Sequence, residues 1–376
     1  MFFRGTRVLS ASGMGGQCRA PLGMGCRRVG SLEGRRVFQS SRRPLPVERM
    51  WCVDMHRTGL YSRRFFATRI EEGSEHSKMS EEAFVNKGPE KRRVGEEDVD
   101  LLSKDPNQVD AETQFNLGLQ FLHGDGVAQD VVRAAEYFEQ AALQRYEPAQ
   151  FNLAVMYFKG EGVMQDKAKA AELFKTVALQ GNKIAQYSLG RMYEKGDGVI
   201  QDMQEAVKFY EQAALQGVAQ AQSRLGVMYF EGDGVAQDKS KAAMLLAKAV
   251  LQEHPEAHYN LGVMFFRGEG VTQNKANAAK LYKKAALLGF TQANLNLGMM
   301  YLSGEGVDED KKMAAKLLEQ AASKGLIEAQ WRLGVMYYEG DGVTQDKAEA
   351  IKLFKKAALQ GDAEAAELLE KATNWK

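Results

Sequence analysis

Ala149-Gln150-Phe151-Asn152-Leu153-Ala154-Val155-Met156-Tyr157-Phe158-Lys159-Gly160-Glu161-Gly162-Val163 decides the fold. Counted from Ala149, the small residue, Leu153, Met156 and Tyr157 stand at positions 0, 4, 7 and 8, which share one helical face. The Gly-acid-Gly-Val that follows is a turn. It recurs every 36 residues, beginning at Gly124, Gly160, Gly196, Gly232, Gly268, Gly304 and Gly340. A fixed period of this length marks stacked supersecondary units rather than separate domains.

Beyond each turn stands Asp130, Asp166, Asp202, Asp238, Asn274, Asp310 or Asp346. Such residues accept the free N–H groups that open a helix. A second helix follows, with alanine pairs and large apolar residues as in Ala170-Ala171-Glu172-Leu173-Phe174. In five repeats it stops at Gly181, Gly217, Gly289, Gly325 or Gly361, the residue suited to a left-handed helix end. Arg145 and Glu253 replace glycine in the other two, where Pro148 and Pro255 restart the next helix.

Position 5 of the first helix is Gly118, Ala154, Gly190, Gly226, Gly262, Gly298 or Gly334. Glycine inside a helix costs about 1 kcal/mol relative to alanine. The pattern therefore predicts a close helix crossing at this point. The expected fold is all-α: a superhelical solenoid of seven 36-residue helical hairpins. A C-terminal capping helix begins near Ala365 and loses the pattern at Glu370.

The array, 111–376, carries 30 basic and 34 acidic residues, whereas 1–110 carries 20 and 15. A mildly acidic array does not attract nucleic acid by its overall field. Cys18, Cys26 and Cys52 all precede the repeats, so no disulfide staples the array. No stretch has the roughly 20 apolar residues of a membrane span. Between Met1 and Phe66 there are thirteen arginines, no lysine and three acids, Glu33, Glu48 and Asp54. This composition resembles a mitochondrial transit peptide on 1–66, which places the protein in the mitochondrion, in the matrix. A basic tail, a start codon assigned too early, and a cytoplasmic or plastid location remain open. Residues 67–110 are highly charged and poor in large apolar side chains, as a disordered linker would be.

The motif Ala-x-x-x-Leu-Gly-x-x-Tyr-x-x-Gly-x-Gly-Val-x-x-Asp, with its later Ala-Ala and Gly, resembles the SEL-like repeat, a relative of the tetratricopeptide repeat. The resemblance covers Thr113 to about Ala365, roughly two thirds of the chain. It implies a right-handed superhelix of paired helices acting as an adaptor in multiprotein complexes. Some members carry a cysteine pair in each repeat, or a membrane anchor; the cysteine pairs and an evident spanning helix are missing from this sequence.

A partner face follows from the wheel. Positions 2, 6 and 9 point away from the packed face, and in the resembled families they line the concave surface. Here they read Phe115, Leu119 and Leu122; Phe151, Val155 and Phe158; Tyr187, Arg191 and Glu194; Ser223, Val227 and Phe230; Tyr259, Val263 and Phe266; Leu295, Met299 and Leu302; and Trp331, Val335 and Tyr338. An apolar stripe of this kind marks a protein-binding surface, unless neighbouring repeats cover it. Only the third repeat places charges there, Arg191 and Glu194, which are expected to set the register of a bound segment. Asn152, Asn260 and Asn296, with Asn116, flank the stripe and are placed to bind a peptide backbone or to make structural hydrogen bonds.

The expected partners are other proteins, with no nucleic acid and no transmembrane segment. The glycine turn lacks the strand and the Gly-Lys-Ser/Thr of a phosphate loop. His254 and His258 lack a third nearby metal ligand. No catalytic residue, cofactor or enzymatic activity is expected. Organellar RNA binding is the alternative, since pentatricopeptide arrays also use hairpins of about 35 residues.

Overall fold

The computed structural model describes residues 109–374. Residues 1–66, which resemble a transit peptide in composition, and the expected linker as far as residue 108 lie outside the described residues. Val109 is buried and Asp110 caps the first helix, so these two residues belong to the array rather than to the linker.

The described residues form fifteen α-helices and no strand. Seven hairpins follow one another: α1 Ala111–His123 with α2 Val131–Leu143, α3 Glu147–Lys159 with α4 Lys167–Leu179, and α5 Lys183–Lys195 with α6 Met203–Leu215. Next come α7 Ala219–Glu231 with α8 Lys239–Val250, α9 Pro255–Arg267 with α10 Lys275–Leu287, α11 Thr291–Ser303 with α12 Lys311–Ser323, and α13 Ile327–Glu339 with α14 Lys347–Leu359. The final helix, α15 Ala363–Asn374, buries only Ala365 and Leu368 and leaves Glu370 in solvent, as expected of a cap. None of these helices is long and apolar enough to cross a membrane.

Local chemistry sets the boundaries. All seven second helices are capped by the expected side chain; Asp166, for instance, accepts from the Lys169 N–H at 2.9 Å. The first helices divide into two kinds. Asp110, Asn182 and His254 cap by hydrogen bonding, whereas Tyr146, Val218, Phe290 and Leu326 give no side-chain cap. Two of these apolar leaders pack backwards instead. Tyr146 lies 5.4 Å from the Phe115 ring and Phe290 lies 4.8 Å from the Tyr259 ring. At those joints apolar cover of the preceding hairpin takes the place of a cap.

The expected close crossing is present. A β-carbon on Gly118 would lie 2.6 Å from the Phe138 ring, one on Gly190 2.8 Å from Tyr210, and one on Gly334 2.7 Å from Phe354. At these three crossings the missing side chain makes room for an aromatic ring of the partner helix.

A ladder of glutamines, alternately exposed and buried, joins hairpins to one another. Gln216 donates to Gln186 Oε1 at 2.8 Å, and Gln186 donates to the Ala178 carbonyl of the preceding hairpin at 3.1 Å. Gln252, Gln222 and Ala214 repeat the arrangement. These bonds satisfy helix-end carbonyls that would otherwise be buried without partners.

Candidate partner-binding face

The Gly-acid-Gly-Val turn is a joint between hairpins. Its second glycine presses on the first residue of the previous hairpin's second helix. A β-carbon on Gly162 would sit 2.3 Å from the Val131 carbonyl oxygen, and one on Gly198 2.2 Å from that of Lys167. The acid between the glycines then reaches the same residue's side chain. Lys167 pairs with Asp197 at 2.6 Å, Lys275 with Glu305 at 2.9 Å and Lys311 with Asp341 at 2.9 Å.

A lysine at the start of a helix opposes the helix dipole. Here that cost is offset twice, because the ammonium also lies over an aromatic ring at position 9 of its own hairpin. Lys167 is 5.4 Å from the Phe158 centroid, Lys239 4.9 Å from Phe230, Lys275 5.3 Å from Phe266 and Lys347 5.2 Å from Tyr338. The ends of the inner stripe are thus tied into the joints.

Part of the stripe is consumed by packing. Phe151, Val155, Val227, Phe230, Tyr259 and Val263 are buried, so none of them offers a side chain to a partner in this conformation. The reason is geometric. The position-2 aromatic stacks on the second helix of its own hairpin, as in Phe151 on Phe174 at 5.6 Å and Tyr259 on Tyr282 at 5.6 Å. Position 3 of the next hairpin then closes over it: Asn296 donates to the Tyr259 hydroxyl at 3.3 Å.

The asparagine expectation is corrected as well. Asn152 and Asn260 are buried, and neither amide atom of Asn260 nor Nδ2 of Asn152 has a partner among the described residues. A peptide backbone does not reach atoms enclosed in this way. Asn296 is half-buried and is held by Tyr259.

The half-exposed remainder consists of Phe158, Tyr187, Arg191, Glu194, Phe266, Trp331, Val335 and Tyr338, together with Leu119, Leu122, Met299 and Leu302. Glu194 does not stand free to set register. It accepts from Arg224 at 2.5 Å and from the Tyr210 hydroxyl at 2.6 Å. Burial pushes the Tyr210 hydroxyl well above the ordinary tyrosine range, and the Glu194 charge adds to the shift. The sequence reading passed over Arg224 because it occupies the asparagine column. Its only signal was a charge facing Glu194 from exactly one hairpin away less six residues, the same 30-residue spacing that links Lys167 to Asp197.

A second feature was missed. A leucine ends the second helix or stands just past it in six hairpins: Leu143, Leu179, Leu215, Leu251, Leu287 and Leu359, all between 72% and 87% exposed. The recurring Ala-Leu-Gln column held that signal, but a single leucine at a helix end reads as part of the core pattern.

A family model described as the Sel1 repeat matches residues 111–146, 147–182, 183–218, 219–254, 255–290, 291–326 and 327–362. The chain is a Sel1-repeat protein. Its seven repeats coincide with the hairpins, joint glycines included. Similar solved structures are c5321, a protective antigen of uropathogenic Escherichia coli strains displaying an SLR fold, and a Sel1 repeat protein from Oxalobacter formigenes. The first is 36% identical with a TM-score of 0.67, over 73% of this chain and 58% of the other. The second is 34% identical with a TM-score of 0.61, over 69% of this chain and 76% of the other. This chain therefore spans little more than half of the E. coli structure. A comparison with curated proteins finds no match. Sel1-repeat proteins are in general protein-interaction scaffolds and are typically non-enzymatic.

Proposed function

We propose that this Sel1-repeat array is a non-enzymatic adaptor that holds a segment of another protein along the part of its inner face left half-exposed by self-packing. One observation carries the reading. Trp331, Val335 and Tyr338 on α13, with Met299 and Leu302 on α11 and Phe266 on α9, form a run of half-exposed apolar side chains across three consecutive hairpins. Tryptophan and tyrosine supply large contact areas at small cost in side-chain entropy, and they dominate the energetics of protein interfaces.

The test compares affinity purifications of the native chain, a Trp331→Glu/Tyr338→Glu double variant and a Leu215→Glu control. Partners are expected to be lost from the double variant and kept by the control, with unchanged helical content in both. Retention by a folded double variant overturns the reading. RNA binding is disfavoured by the excess of acidic over basic residues in 111–376; abundant ultraviolet crosslinks to RNA would reverse that preference. The mitochondrial address belongs to the same proposal and rests on the composition of 1–66 alone. Fusing those residues to a fluorescent protein tests it, and a cytosolic signal counts against it.

A further inference from the structure

The joint between the second and third hairpins holds a cleft. The cleft encloses about 320 Å³ of empty space, open solvent included. Phe158 and Phe174 of the second hairpin and Met192 of the third form its apolar wall. Ser188, Arg191 and Lys195 line it from α5. Steps of three and four residues place these three on one helical face.

Two independent observations mark the cleft as a binding site. The first is an unanswered donor: Ser188 is only 4% exposed, and its hydroxyl has no hydrogen-bond partner among the described residues. Enclosing a hydroxyl without a partner is unfavourable. The second is charge. Among the described residues neither Arg191 nor Lys195 has a carboxylate within ion-pair distance. The acid that also lines the cleft, Asp197, is held by Lys167 at 2.6 Å. The nearby Glu194 is likewise held by Arg224 at 2.5 Å.

Arg191 is also out of pattern. The column of Arg191 is Leu119, Val155, Val227, Val263, Met299 and Val335 in the other hairpins. A guanidinium beside apolar walls and a buried hydroxyl is complementary to a carboxylate with an apolar neighbour.

We infer that this cleft is a carboxylate subsite of the inner face. It takes an acidic side chain of an extended partner segment, with Arg191 and Lys195 as counter-charges, the Ser188 hydroxyl as donor, and Phe158 and Met192 against the flanking apolar side chain. The inference rests on the protein-binding reading above and adds to it the chemistry of the bound segment.

The test uses the full chain and two fluorescein-labelled peptides of alternating leucine and glutamate or leucine and glutamine, read by fluorescence anisotropy. The glutamate peptide is expected to bind more tightly than the glutamine peptide. Arg191→Leu, which restores the apolar type of the column, is expected to weaken the glutamate peptide by about tenfold and leave the glutamine peptide unchanged. Ser188→Ala is expected to weaken it by about threefold. Arg191→Lys is expected to retain most of the binding. Equal affinity for the two peptides, no binding of the glutamate peptide, or indifference to Arg191→Leu in a variant with native helical content overturns the subsite. Displacement of the glutamate peptide by inorganic phosphate at equal concentration also overturns it, since a simple anion hole would be left. A Trp331→Glu variant is measured in parallel. If it loses both peptides while Arg191→Leu changes nothing, the subsite fails and the inner-face reading stands.

Discussion

Lys167 Nζ lies 2.6 Å from Asp197 Oδ1, across the boundary between the second and third hairpins, while the backbone of the same lysine fills the space where a side chain on Gly198 would stand. One residue is therefore gripped at both ends by the turn of the next repeat. The motif residues long recognisable as a turn act as the joint of the array, and the ion pair, half exposed, contributes less than the backbone fit.

Gly198→Ala and Gly217→Ala separate these effects. Both glycines have positive φ, 71° and 83°, but a β-carbon on Gly217 meets nothing within 4 Å. Gly217→Ala is expected to cost about 1 kcal/mol from backbone strain alone. Gly198→Ala is expected to cost about 3 kcal/mol or more, because overpacking against backbone is added. Urea denaturation of the two variants checks the order, and equal losses would remove the joint from the account.

The helix crossing gives a graded series. A β-carbon would lie 2.6 Å from Phe138 at Gly118, 2.9 Å from Leu246 at Gly226 and 3.2 Å from Leu318 at Gly298. Alanine at these sites is expected to destabilise most at Gly118 and least at Gly298. Gly226→Val is expected to lower the melting temperature markedly, since a branched side chain cannot be accommodated by a small shift. Thermal melts of the four variants test the ranking.

Arg145 holds the left-handed conformation, φ 62°, at the helix end where five other hairpins use glycine. Its side chain is exposed, and the equivalent glycines have no neighbour that a β-carbon would meet. Arg145→Gly is expected to stabilise the array by roughly 0.5–1 kcal/mol, through relief of a conformation that L-residues adopt at a cost. A melting temperature at or below that of the native chain would contradict this.

Much of this was legible in sequence because each repeat states its own boundaries. The caps from Asp130 to Asp346, the first glycine of each turn and the mid-helix glycines all act within one hairpin, and the structure has each where the pattern placed it. What was not legible lies between hairpins. A helical wheel shows that Phe151 and Tyr259 point away from the packed face, but not that their own second helix and the next hairpin enclose them. For the same reason Arg224 was passed over as the partner of Glu194. Arg145 and Glu253 read as lost glycines, although the backbone keeps the glycine conformation there.

Alkaline stability follows from Tyr259. Burial pushes its hydroxyl up to about 12, and the Asn296 hydrogen bond only partly opposes this. Its pKa in the folded chain is above that of the unfolded chain, so the stabilisation is present below about pH 10 and is lost as pH rises towards 12. The loss amounts to about 3 kcal/mol at most from this residue. Tyr259→Phe is expected to flatten the fall in melting temperature between pH 10 and 12, at the expense of some stability at neutral pH where Asn296 loses its acceptor. A pH series of melts showing the same alkaline slope in both proteins would refute the assignment.

The adaptor claim is tested most directly by placing a photo-crosslinking phenylalanine derivative at Tyr338 on the inner face, or at Leu215 on the outer leucine row, and irradiating the folded chain in an extract of its source cells. The account predicts discrete protein adducts from position 338 that are absent from position 215. Adducts confined to position 215, or none at position 338 in a folded array, would contradict it.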